Sequence, residues 1–498
     1  MISSRQGGLV HFTRSLAKLG REGIRVTALC PQFVETNLVT SWLRERPEQA
    51  QRAIDAAGGG LLQVDQVVAG LLELLHNGRP GSVLRVASKG QLLYWPQPQR
   101  DGPAAQALAP PPEVEVRRAR HLQWLATLAR DPVPSHRQVL KVHRLTTSFS
   151  EAVALSQEPL PKTAGPGQLL IRRLYTGVNA SDVNFTAGRY HGTKEAERLL
   201  PFDAGFESVG KSRVPHGEWP SFLPAAFCPT GVVVSVGEGV QGWSAGSPVA
   251  TLTYGGFSDF ALEPASRCLP VPEATPETLA LLTSGLTASI ALEEAGHMGR
   301  GETVLVTAAA GGTGQFAVQL AKLAGNRVVA TCSGGAKAEL LRVLGADLVI
   351  DYTRESVKEV LRRECPQGVD LAFESVGGDM FATAVDSLAR RGRLVIIGMM
   401  SAYKEGWPPS EARGLQEKLL WKSATVAGFF LPLYASLFRT HLGRLATMVD
   451  QGKLRVALDA HRFVGLEQAA AAVERLQSGQ SSGKVFLRLG PEEPHARM

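Results

Sequence analysis

The sequence predicts an α/β chain in which a small β-barrel precedes a doubly wound parallel sheet, with a partial α/β segment before both. Between about residues 136 and 270, short β-branched runs alternate with glycines, a pattern typical of a barrel. From Thr303 to about Gly398, apolar strand patterns alternate with helical patterns, which indicates a parallel sheet covered by helices. The 498 residues are too many for one compact core, so several domains are expected.

Composition and charge indicate a globular protein. Hydrophobic residues make up 44% of the chain and charged residues 20%. No apolar run approaches the ~20 residues of a membrane helix, and residues 1–8 lack the apolar core of a secretion signal. The net charge of +7 comes from scattered lysines and arginines, so we expect no nucleic-acid partner. The five cysteines are far apart and never in a CxxC spacing, which favours a reducing compartment.

Residues 1–95 form the first predicted domain, with helices at 11–19 and 64–75 and strands at 23–31 and 82–86. Residues 7–17 and 30–36 resemble the C-terminal half of a short-chain dehydrogenase/reductase. That family's catalytic tyrosine and lysine would fall at about Met1 and Arg5, and its nucleotide-binding half would lie upstream. We therefore expect no catalysis from this segment, which is either a remnant or the product of a truncated gene.

Residues 96–135 are predicted to be a linker. Proline recurs through it, including the run at 110–112, and favours extended backbone. A short helix is predicted at 119–128. The barrel domain is predicted at 136–270, with strands at 139–142, 169–174, 232–236 and 249–252. Residues 211–230 form an insertion rich in proline and aromatics, which is a surface loop or a mistranslated intron.

The sequence from Thr303 onward predicts a dinucleotide site. A β-branched strand runs to Val306, and a turn of alanines and glycines follows. A helical apolar pattern then begins with Phe316. Small residues let the backbone approach a pyrophosphate, and the helix N-terminus favours its charge. The predicted contacts are Ala310, Gly311, Gly312, Thr313 and Gly314.

The nucleotide-binding domain is predicted at 271–435, in the form of a Rossmann fold. Residues 436–492 are predicted to return to the barrel domain, with a helix at 466–476 and a strand at 484–489. Residues 493–498 form a tail.

Several motifs in this order resemble the zinc-independent branch of the medium-chain dehydrogenase/reductases. They lie at residues 177–184, 188–190, 205–207, 283–288, 308–314, 374–378 and 482–485. The resemblance implies a GroES-like catalytic domain, a Rossmann domain and a homodimer. Residues 397–403 and 428–431, with Tyr434, are similar to prostaglandin reductases and plant NADPH:quinone oxidoreductases within that branch.

The residue types argue against a metal. A catalytic zinc takes three protein ligands, typically Cys or His. Zinc-dependent relatives place a cysteine where this chain has Ala180 and Ser181, and a histidine where it has Phe206. The four-cysteine structural lobe of those relatives is also missing. We therefore predict no metal site and hydride transfer without a Lewis acid.

Charge favours NADPH over NADH. An NAD site usually carries an acidic residue at the end of its second strand, but here Ser333 and Lys337 follow the strand at 327–332. A hydroxyl and an ammonium suit a 2′-phosphate. The alternatives are that Ser333 caps a helix and that Lys337 is a solvated lysine. By resemblance, Tyr352 flanks the adenosine.

A reduced nicotinamide without a metal fits conjugate reduction, in which hydride adds to the β-carbon of an enone and charge moves to the carbonyl oxygen. By its match to prostaglandin reductases, Tyr403 is expected to stabilise that oxyanion. The alternative is that it packs on the coenzyme. Asn179 is expected to orient the substrate or the nicotinamide, and Thr287 to lie beside the nicotinamide. The remaining expected contacts with coenzyme and substrate are Gly398, Phe429, Phe430 and Tyr434.

The predicted activity is therefore NADPH-dependent reduction of enones or quinones. Three alternatives remain open: one-electron quinone reduction, NADPH binding without turnover as in crystallin-like or RNA-binding relatives, and short-chain dehydrogenase activity of residues 1–95. The last residues, Ala496, Arg497 and Met498, fit a small–basic–aliphatic peroxisomal signal. A cytoplasmic location is the alternative.

Overall fold

The computed structural model describes residues 28–31, 83–86, 92–94, 111–190, 193–205, 229–251, 255–403 and 414–493. Contacts divide the chain into two compact units, Met1–Ala109 and Pro110–Met498. The described strands of the first unit are β1 (Ala28–Pro31), β2 (Val83–Val86) and β3 (Leu92–Tyr94). β1 and β2 are parallel, and β3 is antiparallel to β2. The two predicted strands are thus confirmed here, while the predicted helices at 11–19 and 64–75 lie outside the described residues.

The second unit opens with a helix, α1 (Pro112–Leu128), which is longer than the predicted 119–128. Proline is tolerated in the first turn because N–H groups there have no partner within the helix. The carboxylates of Glu113 and Glu115 interact favourably with the positive end of the helix dipole. His121 anchors the buried face. Its Nε2 accepts the Ala274 N–H at 3.0 Å, and its Nδ1 lies 2.9 Å from Glu493 Oε2.

The barrel segment contains more strands than the sequence predicted. Its strands are β4 (His136–Val142), β5 (Val153–Pro159), β6 (Gln168–Gly177), β7 (Phe202–Asp203), β8 (Pro229–Val236), β9 (Pro248–Thr251), β10 (Phe260–Pro264) and β11 (Cys268–Pro270). Its helices are α2 (Phe149–Ala152), α3 (Ser181–Thr186) and α4 (Thr193–Leu199). The four predicted strands are present. β5 was missed because its polar residues give no apolar alternation, although it pairs with β4 along its whole length.

A helical run, 276–295, joins the barrel to the parallel sheet and is buried over most of 278–292. It consists of α5 (Pro276–Ala280), a π-helical turn (Leu281–Gly285), α6 (Leu286–Ile290) and a second π-helical turn (Ala291–Ala295). Thr275 caps its start by accepting the Thr278 N–H through Oγ1 at 3.2 Å. Wide turns of this kind often lie at functional sites.

The parallel sheet has the strand order of a dinucleotide-binding fold. Its strands are β12 (Thr303–Val306), β13 (Arg327–Cys332), β14 (Leu348–Asp351), β15 (Val369–Glu374), β16 (Leu388–Ile396) and β17 (Thr425–Gly428). The helices are α7 (Gly314–Leu323), α8 (Gly335–Val343), α9 (Val357–Glu364), α10 (Gly378–Asp386) and α11 (Leu415–Lys422). The spatial order β14-β13-β12-β15-β16-β17 places the reversal between β12 and β15, where such sheets bind ligands.

The chain then returns to the barrel through α12 (Phe438–Asp450), β18 (Phe463–Val464), α13 (Ala469–Gln477) and β19 (Phe486–Arg488). β19 pairs antiparallel with β6, so the last strand completes the larger barrel sheet, whose order is β11-β9-β8-β6-β19-β18 with β10 also on β6. The predicted helix and strand of the return segment are confirmed, with slightly different bounds. The smaller sheet, β5-β4-β7, joins the larger one where Leu140 N–H donates to Phe257 O at 2.9 Å.

Two glutamines on α7 attach the return segment to the parallel sheet. Gln315 Nε2 donates to Ala457 O at 2.8 Å, and its Oε1 accepts the Ala457 N–H at 2.6 Å. Gln319 makes the same pair of bonds with Arg455, at 2.9 and 2.8 Å. We call these four bonds the glutamine ladder. It holds residues 455–457 against the helix.

Candidate active site

The glycine loop between β12 and α7 is crowded at two of its glycines. A Cβ on Gly314 would lie 2.6 Å from the carbonyl oxygen of Ala308, and one on Gly312 would lie 3.1 Å from Ser284 Oγ. Ala308 has a φ of 45°, a left-handed conformation that is uncommon outside glycine. The helix begins at Gly314, as predicted. The loop is therefore a strained, bare backbone surface at the N-terminus of a buried helix.

A buried carboxyl group stabilises the crevice beside this loop. Glu374, at the end of β15, accepts the backbone N–H groups of Val376 and Gly377 at 2.8 and 3.1 Å, and Thr307 Oγ1 lies 3.3 Å from it. The pKa of Glu374 is raised, because the effect of burial exceeds the opposing effect of these hydrogen bonds. Thr307 Oγ1 also accepts the Ser375 N–H at 3.0 Å. The ends of β12 and β15 are thereby tied together at the point where the strand order reverses.

Asn179 meets a lysine that the sequence analysis did not single out. Lys484 Nζ donates to Asn179 Oδ1 at 2.5 Å, and the two residues are 3% and 9% exposed. Within the described residues, Asn179 Nδ2 is buried without a hydrogen-bond partner. Gly483 N–H donates to Ala310 O at 2.8 Å, so the lysine lies against the glycine loop. This leaves one amide donor and one buried ammonium beside the loop.

Ser333 and Lys337 lie together, as the sequence predicted. Lys337 Nζ is 3.4 Å from Ser333 Oγ and donates to the carbonyl oxygen of Gly479 at 2.5 Å. Burial lowers the pKa of Lys337. The helix cap is Gly334, so the alternative that Ser333 caps the helix is wrong, whereas Lys337 is partly exposed and bonded to a backbone carbonyl. Tyr352 is adjacent, because its N–H donates to Cys332 O at 3.1 Å, and its side chain is 48% exposed.

A cleft of 330 Å³ brings together the remaining predicted residues near Tyr403. Its walls come from the α3 segment and from the loops that follow β16 and β17. They are Asn184, Tyr190, Ile396, Ile397, Gly398, Met399, Tyr403, Gly428, Phe429, Phe430, Leu433 and Tyr434. Phe429 stacks on Tyr434 with centroids 4.7 Å apart, and Tyr190 stacks on Phe430 at 6.0 Å. The walls are apolar and aromatic, with phenol hydroxyls among them. Thr287, by contrast, is buried on α6 and does not line this cleft.

The Tyr403 hydroxyl is held in place by donors. It accepts the Met399 N–H at 3.2 Å, and the Asn184 side chain, which lines the same cleft, acts on its pKa as a hydrogen-bond donor. A Cβ on Gly398 would lie 2.9 Å from this oxygen, so glycine makes room for the phenol. Burial raises the pKa of Tyr403, while the two hydrogen bonds and the charge of Arg189 act in the opposite direction. The phenol is therefore protonated at neutral pH and able to donate.

Comparison with known proteins gives consistent relatives. Prostaglandin reductase-3 of Bos taurus is 44% identical over 371 residues, covering 72% of this chain and 91% of the relative. A probable quinone oxidoreductase of Leishmania amazonensis is 39% identical over 361 residues, covering 72% of this chain and 99% of the relative. The family model for zinc-binding dehydrogenases matches residues 312–447. The chain belongs to the medium-chain dehydrogenase/reductase family.

Among solved structures, that of a mycobacterial protein in complex with NADPH is similar. It is 28% identical, with a TM-score of 0.58, and the match covers 71% of this chain and all of that one. The predicted GroES-like catalytic domain followed by a Rossmann domain is thereby confirmed as the fold of the second unit.

The residues present fit a dinucleotide as this family binds it. The bare glycine loop has no side chain in the way of a pyrophosphate. Asn179 Nδ2 is a buried donor without a protein partner in the described residues, and a ligand oxygen beside Lys484 would satisfy it. Ser333 and Lys337 lie at the end of β13, where the ribose of the adenosine half belongs.

Sequence reasoning missed Lys484, Arg189 and Ser284 as members of this medium-chain dehydrogenase/reductase site. A signal existed for all three, since each lies within a motif that carried the resemblance. Their contacts, however, join segments far apart in the chain, and no local pattern predicts such pairs. Phe206, where zinc-dependent relatives have histidine, lies outside the described residues. Within the described ranges, no group of three or more Cys, His, Asp or Glu side chains could hold a metal.

Proposed function

We propose that this chain reduces α,β-unsaturated ketones or quinones with NADPH. The observation that carries the proposal is the cleft itself, in which the Tyr403 hydroxyl faces apolar aromatic walls beside the coenzyme crevice. Support comes from relatives named prostaglandin reductase-3 and probable quinone oxidoreductase, and from a similar structure that contains NADPH. The same relatives do not favour the alternative of a non-catalytic NADPH-binding protein.

Bound NADPH would supply the hydride. Reduction of an enone places negative charge on its carbonyl oxygen, and a preorganised donor at that oxygen lowers the barrier. Tyr403 is proposed to be that donor, because its hydroxyl is buried, protonated and fixed by Met399. Phe430, Leu433 and Tyr434 would exclude water around the apolar part of the substrate.

The coenzyme would be held at three places. The glycine loop 310–314 would take the pyrophosphate through backbone N–H groups, and Ser333 with Lys337 the 2′-phosphate, with Tyr352 beside the adenosine. Asn179, oriented by Lys484, would hydrogen-bond the nicotinamide half or the substrate. Thr287, on the buried helix that also carries Ser284, would support the nicotinamide side of the crevice.

The reaction is proposed to need no zinc. The positions that carry cysteine ligands in zinc-dependent relatives hold Ala180 and Ser181, which offer no thiolate. The test is metal analysis of the purified protein together with turnover after dialysis against a chelator. Stoichiometric zinc whose removal abolishes turnover would overturn this part of the proposal.

The partner is proposed to be a second copy of the chain, and not a nucleic acid. β17 lies at the end of the parallel sheet and, in the described residues, pairs with β16 alone. Next to it, Leu420 and Trp421 on α11 are 74% and 77% exposed. An exposed strand edge with adjacent apolar side chains favours association. None of the helices in the described ranges has the length and hydropathy of a membrane-spanning segment.

The location is proposed to be the peroxisome, with the cytoplasm as the alternative. The proposal depends on Ala496, Arg497 and Met498, which lie outside the described residues. Fusing a fluorescent protein to the N-terminus, with and without these three residues, tests it. Punctate fluorescence that becomes diffuse on their removal supports the proposal, and diffuse fluorescence in both fusions contradicts it.

The activity is tested by NADPH consumption against a panel of enones and quinones, with product analysis. Saturation of the enone C=C bond or formation of a hydroquinone is expected. A semiquinone radical signal during turnover would favour one-electron quinone reduction instead. Tight NADPH binding without oxidation by any compound in the panel would overturn the proposed function.

A further inference from the structure

The Asn184 carboxamide lies in the cleft beside two tyrosine hydroxyls, those of Tyr190 and Tyr403. Asn184 on α3 is 1% exposed, and its Nδ2 lies 3.4 Å from the Tyr190 hydroxyl. The same side chain lines the cleft together with Tyr403, and hydrogen bonding by its amide acts to lower the pKa of the Tyr403 hydroxyl. The amide is therefore placed between a barrel tyrosine and a tyrosine of the Rossmann domain.

Arg189 determines which end of this amide faces the phenols. Its Nη1 donates to Asn184 Oδ1 at 2.6 Å and to the Tyr403 carbonyl oxygen at 3.1 Å. A guanidinium has donors and no acceptor, so it holds the oxygen end of the amide. A reversed amide would turn its NH₂ group toward the guanidinium, which leaves donors facing each other. Nδ2 is thus kept toward Tyr190 and Tyr403.

The orientation of the amide limits what the Tyr403 hydroxyl can do. Its oxygen accepts from Met399 N–H and from Asn184, and these two bonds use its acceptor capacity. Its own hydrogen must then point to another acceptor. Accepting two hydrogen bonds also strengthens the hydroxyl as a donor, because hydrogen bonds in a chain polarise one another.

We propose that Arg189 and Asn184 are positioning residues for the reduction. Arg189 fixes the Asn184 amide as a donor, and Asn184 commits the Tyr403 hydroxyl to donate to the substrate carbonyl oxygen. This inference rests on the proposed reductase function and adds residues that act through Tyr403. Because Arg189 contacts both α3 and the loop after β16, it also joins the two walls of the cleft.

Asn184→Asp is the sharpest test, since it keeps shape and the pairing with Arg189 but replaces the donor with an acceptor. The Tyr403 hydroxyl would then donate to the carboxylate instead of the substrate. We expect kcat for an enone to fall about 100-fold, as when an oxyanion donor is lost, with the KM for NADPH nearly unchanged. In a Tyr403→Phe background the same change should have little further effect. Arg198→Met, which removes an exposed arginine on α4, is the control and should leave kcat unchanged.

A second measurement does not depend on turnover. The chain has seven tyrosines, so ring-¹³C-labelled protein gives few signals, and Tyr403→Phe assigns one of them. Asn184→Asp removes a donor to the phenolate and adds negative charge, and Arg189→Met removes a nearby positive charge. Both changes should raise the pKa of Tyr403, and Arg198→Met should not.

The inference is overturned if Asn184→Asp lowers kcat equally with and without the Tyr403 hydroxyl, or if the Tyr403 signal titrates as in the unchanged protein. If Asn184→Asp does not fold, Arg189→Met carries both measurements, with a smaller expected loss of about 10-fold in kcat because the amide is freed to rotate. If no enone or quinone supports oxidation of NADPH, the proposed function is refuted. The titration would still show whether Asn184 and Arg189 act on the Tyr403 hydroxyl.

Discussion

Lys484 donates to Asn179 across 305 positions of sequence, and the two side chains are buried together against the glycine loop. The bond occupies the oxygen of the amide and leaves its nitrogen as a donor. An unpaired buried donor is costly unless a ligand satisfies it. The pair therefore leaves one buried amide donor beside the loop that a ligand oxygen could satisfy.

Lys484→Met should weaken NADPH binding. It removes the buried charge and frees the Asn179 amide to turn, and charge-assisted hydrogen bonds contribute about 1.5–3 kcal/mol, which corresponds to roughly 10- to 150-fold in Kd. Fluorescence titration with NADPH measures the effect. The control is Lys358→Met, whose side chain is 69% exposed. Equal Kd values for NADPH in both variants would show that Lys484 does not contribute to coenzyme binding.

Lys337→Glu should reduce the preference for NADPH over NADH. The change replaces an ammonium beside Ser333 with a carboxylate that repels a 2′-phosphate. Partly exposed charges interact by about 1–2 kcal/mol, so the ratio of the two kcat/KM values should fall about 5- to 30-fold. Lys358→Glu controls for net charge. An unchanged ratio would mean that a group other than Lys337 recognises the 2′-phosphate of NADPH.

Tyr403→Phe should lower kcat for enones about 100-fold while NADPH binding is retained. The direction of the pH dependence of kcat gives a second test. Because burial raises the pKa of Tyr403 above its ordinary value, the protonated donor persists through neutral and mildly alkaline pH and is lost only above that raised pKa. The unchanged enzyme should show an alkaline decline of kcat there. The same decline in the phenylalanine variant would argue against the assigned role.

Gly314→Ala and Gly335→Ala should behave oppositely. At Gly314 a methyl group would lie 2.6 Å from backbone atoms of Ala308 and Ala309, which cannot move aside cheaply. We expect a loss of about 1–3 kcal/mol of stability and weaker NADPH binding. At Gly335, also in the first turn of a helix, a Cβ meets nothing within 4 Å, so alanine should be neutral or stabilising. Thermal midpoints with and without NADPH compare the two, and equal midpoints would refute the close packing of the loop.

Trp421→Glu should convert a dimer to monomers. The change places a charge in the apolar surface beside the β17 edge. Sedimentation velocity at several concentrations measures the mass. Val343→Glu is the matched control, because Val343 is also an exposed apolar residue, at 56%, on a helix of the same domain. If neither variant changes the measured mass, the dimer interface does not include the surface around Trp421.

The parts of the site that depend on near neighbours in sequence could be predicted. The strand, glycine loop and α7 follow from apolar periodicity, and Ser333 and Lys337 meet because residues four apart share a helix face. Pairs from distant segments could not. Arg189 reaches Tyr403 across 214 positions, and nothing in the local pattern of either residue indicates this. β5 escaped prediction for a different reason: its stability comes from backbone pairing with β4 and not from apolar side chains.

The glutamine ladder has a mechanical consequence. Four amide–backbone bonds join α7 to residues 455–457, and Ala457 O also accepts the Lys484 N–H at 2.9 Å. We therefore expect α7, residues 455–457 and Lys484 to move together as one body. Movement that admits or releases the coenzyme would then separate the other two walls, where Arg189 contacts both the α3 segment and the loop of Tyr403 and where Tyr190 stacks on Phe430.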